Sequence, residues 1–137
     1  MRDVHDAARQ TELRYAGIPD AFIPFETAAE REGLFEYKHI DVASASGHVA
    51  GFCAYSEEEI AWLYVDPLFM RRGIGRKLLR HALETESGVY YAEALVGNIP
   101  AVKLYESEGF NVREILSGRM PGNEQYAVSV YCMYRKS

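Results

Sequence analysis

Cysteine is scarce: only Cys53 and Cys132 occur in 137 residues, far apart in apolar alternating stretches, with no CxxC and no Cys/His cluster at zinc spacing. A disulfide framework and a zinc module are excluded, and both thiols are expected in the core. Long hydrophobic runs are also missing. The longest apolar stretches, such as Ile60 to Val65, are strand-sized and fall short of the roughly 18 residues of a membrane helix, so no bilayer span is expected. Met1-Arg2-Asp3-Val4-His5-Asp6 has neither an apolar core nor a small-residue cleavage site, which makes a cytoplasmic location the default. Excess positive charge is lacking too: 15 Lys plus Arg against 20 Asp plus Glu give a net charge of −5, which argues against nucleic acid as a partner. None of the four histidines (His5, His39, His48, His81) has a partner at metal spacing; they read as surface or edge residues, and no metal is expected.

What is present is the balance of a packed protein, with 48% hydrophobic and 26% charged residues. The length suits a single domain over residues 1–137, able to bury roughly two thirds of its unfolded surface. Periodicity predicts a helix from Val4 to Tyr15, stopped by Gly17 and Pro19, and a short helix from Glu26 to Glu32 ended by Gly33. Strands are predicted over Phe35–Ala43, His48–Ser56 and Glu59–Val65, with a turn at Ser44–Gly47. The clearest helix runs from Gly73 to Thr85, where Ile74, Leu78, Leu79, Ala82 and Leu83 form one stripe. A strand over Val89–Val96, a helix over Ile99–Glu108 and strands over Phe110–Leu116 and Tyr126–Tyr134 complete the chain, the last two joined by a polar loop from Ser117 to Gln125. One mixed sheet flanked by helices, an α/β or α+β layer domain, is the economical packing.

The strongest local signal is Leu63-Tyr64-Val65-Asp66-Pro67, a short spacer, then Arg71-Arg72-Gly73-Ile74-Gly75-Arg76 entering a helix. Residues 71–80 hold five cations (Arg71, Arg72, Arg76, Lys77, Arg80) and no acid, opposite in sign to the whole chain. A basic helix face alone would read as a solvated surface. Two glycines at the helix start favour another reading, because they bare backbone N–H groups at the positive helix end, where a phosphate or pyrophosphate fits. Dinucleotide and P-loop motifs both fail, since there is no third glycine at the right spacing and no Gly-Lys-Ser/Thr.

Val65-Asp66-Pro67 with Arg71-Arg72-Gly73-Ile74-Gly75 resembles the acyl-CoA pyrophosphate loop of the GCN5-related N-acetyltransferase (GNAT) superfamily. A second block, Asn98-Ile99-Pro100-Ala101 with Leu104-Tyr105 and Gly109-Phe110, resembles the family's asparagine, helix and tyrosine segment. The two blocks, their spacing and the strand order together cover about residues 37–134. Two departures stand out: Met70 replaces the usual Gln or Arg at the start of the loop, and the chain enters a helix almost at Met1, where the family opens with a strand. The resemblance implies a mixed, mostly antiparallel sheet with about four helices and the first strand missing. An edge left short in this way could be covered by a second chain, which makes a homodimer one expectation.

The resemblance also implies roles. The backbone of Leu63, Tyr64 and Val65 would pair with the pantetheine arm as an added strand, and an N–H near Leu63 would bond the thioester oxygen. Arg71, Arg72, Gly73, Ile74, Gly75 and Arg76 would hold the pyrophosphate, with Asn98 and Ala101 facing the coenzyme. Tyr105 would protonate the departing thiolate, and Glu59 resembles in position a general-base glutamate; a packing tyrosine and a solvated acidic turn are the plain alternatives. Arg119, Asn123 and Glu124 could orient a polar acceptor or simply order a turn. The expected function is transfer of an acetyl group from acetyl-CoA to a primary amine of a small molecule or peptide by direct attack in a ternary complex. A non-catalytic acyl-CoA-binding regulatory module of the same fold is the alternative.

Overall fold

The computed structural model describes residues 1–70, 72–120 and 123–136. Helix α1 (Arg2–Tyr15) is followed by α2 (Phe25–Arg31), then by an antiparallel meander of β1 (His39–Ala45), β2 (His48–Tyr55) and β3 (Glu59–Val65). Helix α3 (Ile74–Thr85) leads to β4 (Tyr91–Leu95), α4 (Ile99–Ser107) and a closing hairpin of β5 (Phe110–Met120) and β6 (Asn123–Arg135). The six strands form one sheet in the order β1-β2-β3-β4-β6-β5, antiparallel except where β3 meets β4. Among the described residues no strand precedes α1, and no helix is long and apolar enough to cross a membrane.

Strand alternation sorts the core onto two faces. Phe52, Ala54 and Trp62 point to α1 and α2, where Val4, Phe25 and Ala28 meet them. Cys53, Tyr55 and Ile60 point to the other face, against Leu78, Leu79 and Ala82 of α3 and Tyr105 of α4. Gly51 is where α3 closes on the sheet: a Cβ there would lie 2.8 Å from the Tyr64 carbonyl oxygen and 3.0 Å from Leu78. Both cysteines are buried thiols, and burial pushes Cys53 well above the ordinary thiol value, which leaves it inert.

Three sequence expectations are corrected. Strand β1 starts at His39 because Leu34–Glu36 forms a helical turn after left-handed Gly33, burying Leu34 completely and leaving Phe35 outside. The predicted loop from Ser117 to Gln125 is mostly strand. Its small polar residues sit on an exposed ribbon, where the Ser117 and Ser129 hydroxyls pair at 2.7 Å across the strands. His5, expected to be a surface or edge residue, is 2% exposed. Its ring lies 5.4–5.6 Å from Phe25, Trp62 and Tyr64, with Nδ1 3.0 Å from Asp6 Oδ1; the same oxygen accepts from the Phe25 N–H that opens α2.

Candidate active site

The site originates in an interrupted strand pair. Strands β3 and β4 run parallel and pair only at Glu59↔Tyr91 and Ile60↔Ala92. Beyond these positions β3 continues to Val65 and β4 to Leu95 without touching as a ladder. A bulge at Ala61 starts the divergence: Tyr55 faces Ile60 and Ala54 faces Trp62, so Ala61 has no opposite number on β2. The bulge re-aims the alternation, sending Trp62 and Tyr64 toward α1 and α2 and Leu63 toward α3. Between the parted strands opens a cavity of about 290 Å³, bounded by β3, β4, α1, α4 and β6.

One wall carries an unpaired strand edge. Leu63, Tyr64 and Val65 line the cavity with an edge that β4 no longer pairs. Gly75 closes the wall at the start of α3, with its missing Cβ position 3.3 Å from Leu104 and 3.4 Å from Val65. Gly73 caps α3 in the left-handed conformation (φ +77°), which a side chain would strain; no described side chain caps the helix, and the space around Gly73 is open. The 12-residue helix therefore opens on N–H groups that no described side chain caps, with its positive end beside the cavity. Of the predicted phosphate ligands, Arg72 is exposed, its guanidinium 5.3 Å from the Phe69 ring centre, whereas Arg76 turns to α4, 3.4 Å from Ser107 Oγ and 4.0 Å from Glu108. Ile74 packs against the core, and Arg71 lies outside the described residues.

The opposite wall is built of side chains. Asn98 is buried and caps α4, its Oδ1 accepting from Ala101 N–H at 3.4 Å; Ala101 lies beside it in the lining. Seven residues on, nearly two turns, Tyr105 reaches the same cavity and packs on Phe110 with ring centres 5.4 Å apart. Burial, reinforced by nearby Cys53 and by the charge of Glu12, drives its phenol far above the ordinary tyrosine value, so it holds its proton throughout the working pH range.

Glu59 sits at the paired end of β3, half-buried and outside the cavity lining; burial and the nearby Glu93 and Glu58 raise its carboxyl above the usual range. Glu93 lines the cavity and accepts a hydrogen bond from the Tyr91 hydroxyl. Sequence reasoning missed it, although a lone charge in Tyr91-Ala92-Glu93-Ala94-Leu95 is a legible signal. It also missed Arg9, Glu12 and Glu32, which line the wall formed by α1 and α2. On the predicted specificity loop, Asn123 instead ties the hairpin to the Ala21 carbonyl at 3.0 Å.

A sheet parted at one parallel pair, with a glycine-opened helix end on one side and a capped helix carrying a buried tyrosine on the other, defines a class of acyl-transfer fold. Residues 36–112 match the acetyltransferase (GNAT) domain, and the chain belongs to that family. It is 36% identical over 97 residues to the N-alpha-acetyltransferase RimI of Mycobacterium tuberculosis, a match covering 64% of this chain and 61% of that protein. It is 46% identical over 61 residues to a ribosomal protein bS18-alanine N-acetyltransferase of Salmonella typhimurium, covering 42% of this chain and 41% of the relative. The matched region thus spans less than two thirds of either relative. In fold, a GCN5-related N-acetyltransferase from Rhodopseudomonas palustris superposes with a TM-score of 0.74 at 16% identity, covering 98% of this chain and 86% of that one.

Proposed function

We propose that this protein is an acetyl-CoA-dependent N-acetyltransferase acting on a primary amine, with the α-amino group of a protein or peptide as the favoured acceptor. The observation that carries the reading is the parting of β3 from β4 beyond Ile60 and Ala92, which leaves an unpaired strand edge facing a tyrosine and a carboxylate across one cavity. Likeness to the RimI and bS18-alanine enzymes favours a protein N-terminus over a free small molecule.

The residues then divide the work. The free edge at Leu63–Val65 takes the pantetheine arm as an added strand, and an N–H near Leu63 polarises the thioester carbonyl. The N–H groups opening α3 at Gly73 and Gly75, with Arg71 and Arg72, hold the pyrophosphate. An acceptor ammonium must lose a proton before its lone pair can attack. Of the carboxylates lining the cavity, we assign this step to Glu93, since Glu12 is held in an ion pair with Arg9; Glu59, outside the lining, is next in line and near enough for the two charges to repel. As the N–C bond forms and the C–S bond breaks, Tyr105 donates its proton to the departing thiolate. The proton taken by Glu93 passes to solvent, and the second proton, shed by nitrogen as the amide forms, restores the phenol, so the thiol leaves neutral.

The test measures release of coenzyme A thiol with peptides beginning in alanine, with the same peptides blocked at the N-terminus, and with free polyamines. Release that requires the open α-amine is expected. Acetyl-CoA binding without release for any amine would favour the regulatory-module alternative.

A further inference from the structure

One feature of the cavity wall has no part in that scheme: an ion pair between Arg9 and Glu12 on α1, in which the side chains are only 17% and 18% exposed. Sequestering two charges in a largely apolar site is costly unless their remaining hydrogen-bonding positions are filled. Those of Glu12 are filled from two other elements. Its Oε1 accepts from Arg9 Nη1 and, at 3.4 Å, from the Tyr64 hydroxyl on β3; its Oε2 accepts from Asn98 Nδ2 at 3.2 Å. Arg9 in turn directs Nη2 to Met120 Sδ at 3.3 Å, at the end of β5.

One carboxylate thus gathers the helix flooring the acceptor side, the strand proposed to carry the donor, and the cap of α4. Tyr64 stands between Leu63 and Val65 on the free edge, and Asn98 fixes the first turn of the helix that delivers Tyr105. We propose that Glu12 is a positioning residue for acetyl transfer: it sets the distance between β3 and α4 across the parted strands, and hence where the Tyr105 hydroxyl meets the departing sulfur. This inference rests on the reading of the protein as an N-acetyltransferase. Carboxylate chemistry suits the task because both oxygens only accept, so donors can approach from Arg9, Tyr64 and Asn98 at once. Glutamine has nearly the same shape but turns one oxygen into a donor, which must then face Arg9 or Asn98.

The experiment compares wild type, Glu12→Gln, Tyr105→Phe and the double variant by thiol release, with thermal melts confirming the fold. Glu12→Gln is expected to lower kcat about 10- to 100-fold with KM for acetyl-CoA near the wild-type value. In the Tyr105→Phe background the same change should lower kcat by less than about 2-fold, because the group it positions is gone. Should Glu12→Gln fail to fold with Arg9 left unpaired, Arg9→Met combined with Glu12→Gln removes both charges and is expected to show the same pattern. Losses that multiply in the double variant, or a change confined to KM for the amine, would overturn the positioning role while leaving the acetyltransferase reading intact. No thiol release by the wild type with any amine would overturn both.

Discussion

The two walls of the cavity are built on different principles. On the donor side the working parts are main-chain: the free edge of β3, left-handed Gly73, and Gly75 fitted against Val65 and Leu104. On the opposite side they are side chains locked to one another across long stretches of sequence, as Asn98 is to Glu12 and Arg9 to Met120. A main-chain surface suits a ligand held by its repeating amides and phosphates, whatever the neighbouring side chains are. A network of side chains fixes proton positions and shape, and must be rebuilt for each acceptor. The difference predicts that substitutions on the two walls will separate binding of the donor from chemistry.

The largest effects are expected on the side-chain wall. Tyr105→Phe removes the hydroxyl and leaves the ring packed on Phe110, so kcat should fall about 10²- to 10⁴-fold while the Kd for coenzyme A by calorimetry stays near wild type. Glu93→Gln should act similarly, with part of the lost rate returning as pH rises and the free-amine fraction of the acceptor grows. Glu59→Gln, outside the lining, should cost less. A loss for Glu59→Gln greater than for Glu93→Gln would reverse the order assigned to the two carboxylates.

The main-chain wall should respond to bulk added rather than removed. Gly75→Leu places a side chain into the 3.3–3.4 Å gap to Leu104 and Val65, and KM for acetyl-CoA should rise about 10-fold, a loss of roughly 1.4 kcal/mol of binding, with kcat little changed. Leu63→Ala shortens a side chain that points toward the core and leaves the edge amides in place, so KM should move by less than about 2-fold. Equal effects from the two substitutions would erase the distinction between the walls.

The same distinction decides what the sequence made legible. Strand β3 has the bounds that its alternation and the Asp66-Pro67 stop predict, and Asn98 caps α4 as a residue of its type should before a proline-containing first turn. Both are local properties. The bulge at Ala61 and the end of pairing at Ile60 are not, because a register is a relation between strands that no single stretch encodes. Arg9 and Glu12 are three residues apart on a helix, a spacing that by itself does not distinguish them from a solvent-facing pair. Their role emerges only when Asn98, 86 residues further along, arrives at the same carboxylate. Arg76 and Arg80 show the reverse. The run of cations beside the glycines is real, yet both pair with Glu108 at the far end of α4, Arg80 by a hydrogen bond from Nε at 2.8 Å and Arg76 by charge alone at 4.0 Å, so sequence charge overstated what faces the phosphate site.

The smallest expected effect concerns the support of the side-chain wall. His5 lies beneath α2 between Phe25, Trp62 and Tyr64, and burial holds its ring below the ordinary value of 6.5 despite the opposing hydrogen bond to the Asp6 carboxylate. A buried neutral imidazole binds fewer protons than the same group in the unfolded chain at pH values between the two pKa values. Stability from this site is therefore complete above about pH 6.5 and declines as the solution is acidified through and below that value. The melting temperature should fall by a few degrees between pH 7.5 and 5.5, and His5→Gln, which cannot charge, should narrow that difference while lowering the melting temperature at pH 7.5 through lost packing. Because Asp6 also caps the Phe25 N–H, loosening this pair loosens α2 and with it the Glu32 side of the cavity. KM for the amine should therefore rise on acidification more steeply in the wild type than in His5→Gln, with KM for acetyl-CoA, whose contacts lie on the main-chain wall, following a single profile in both.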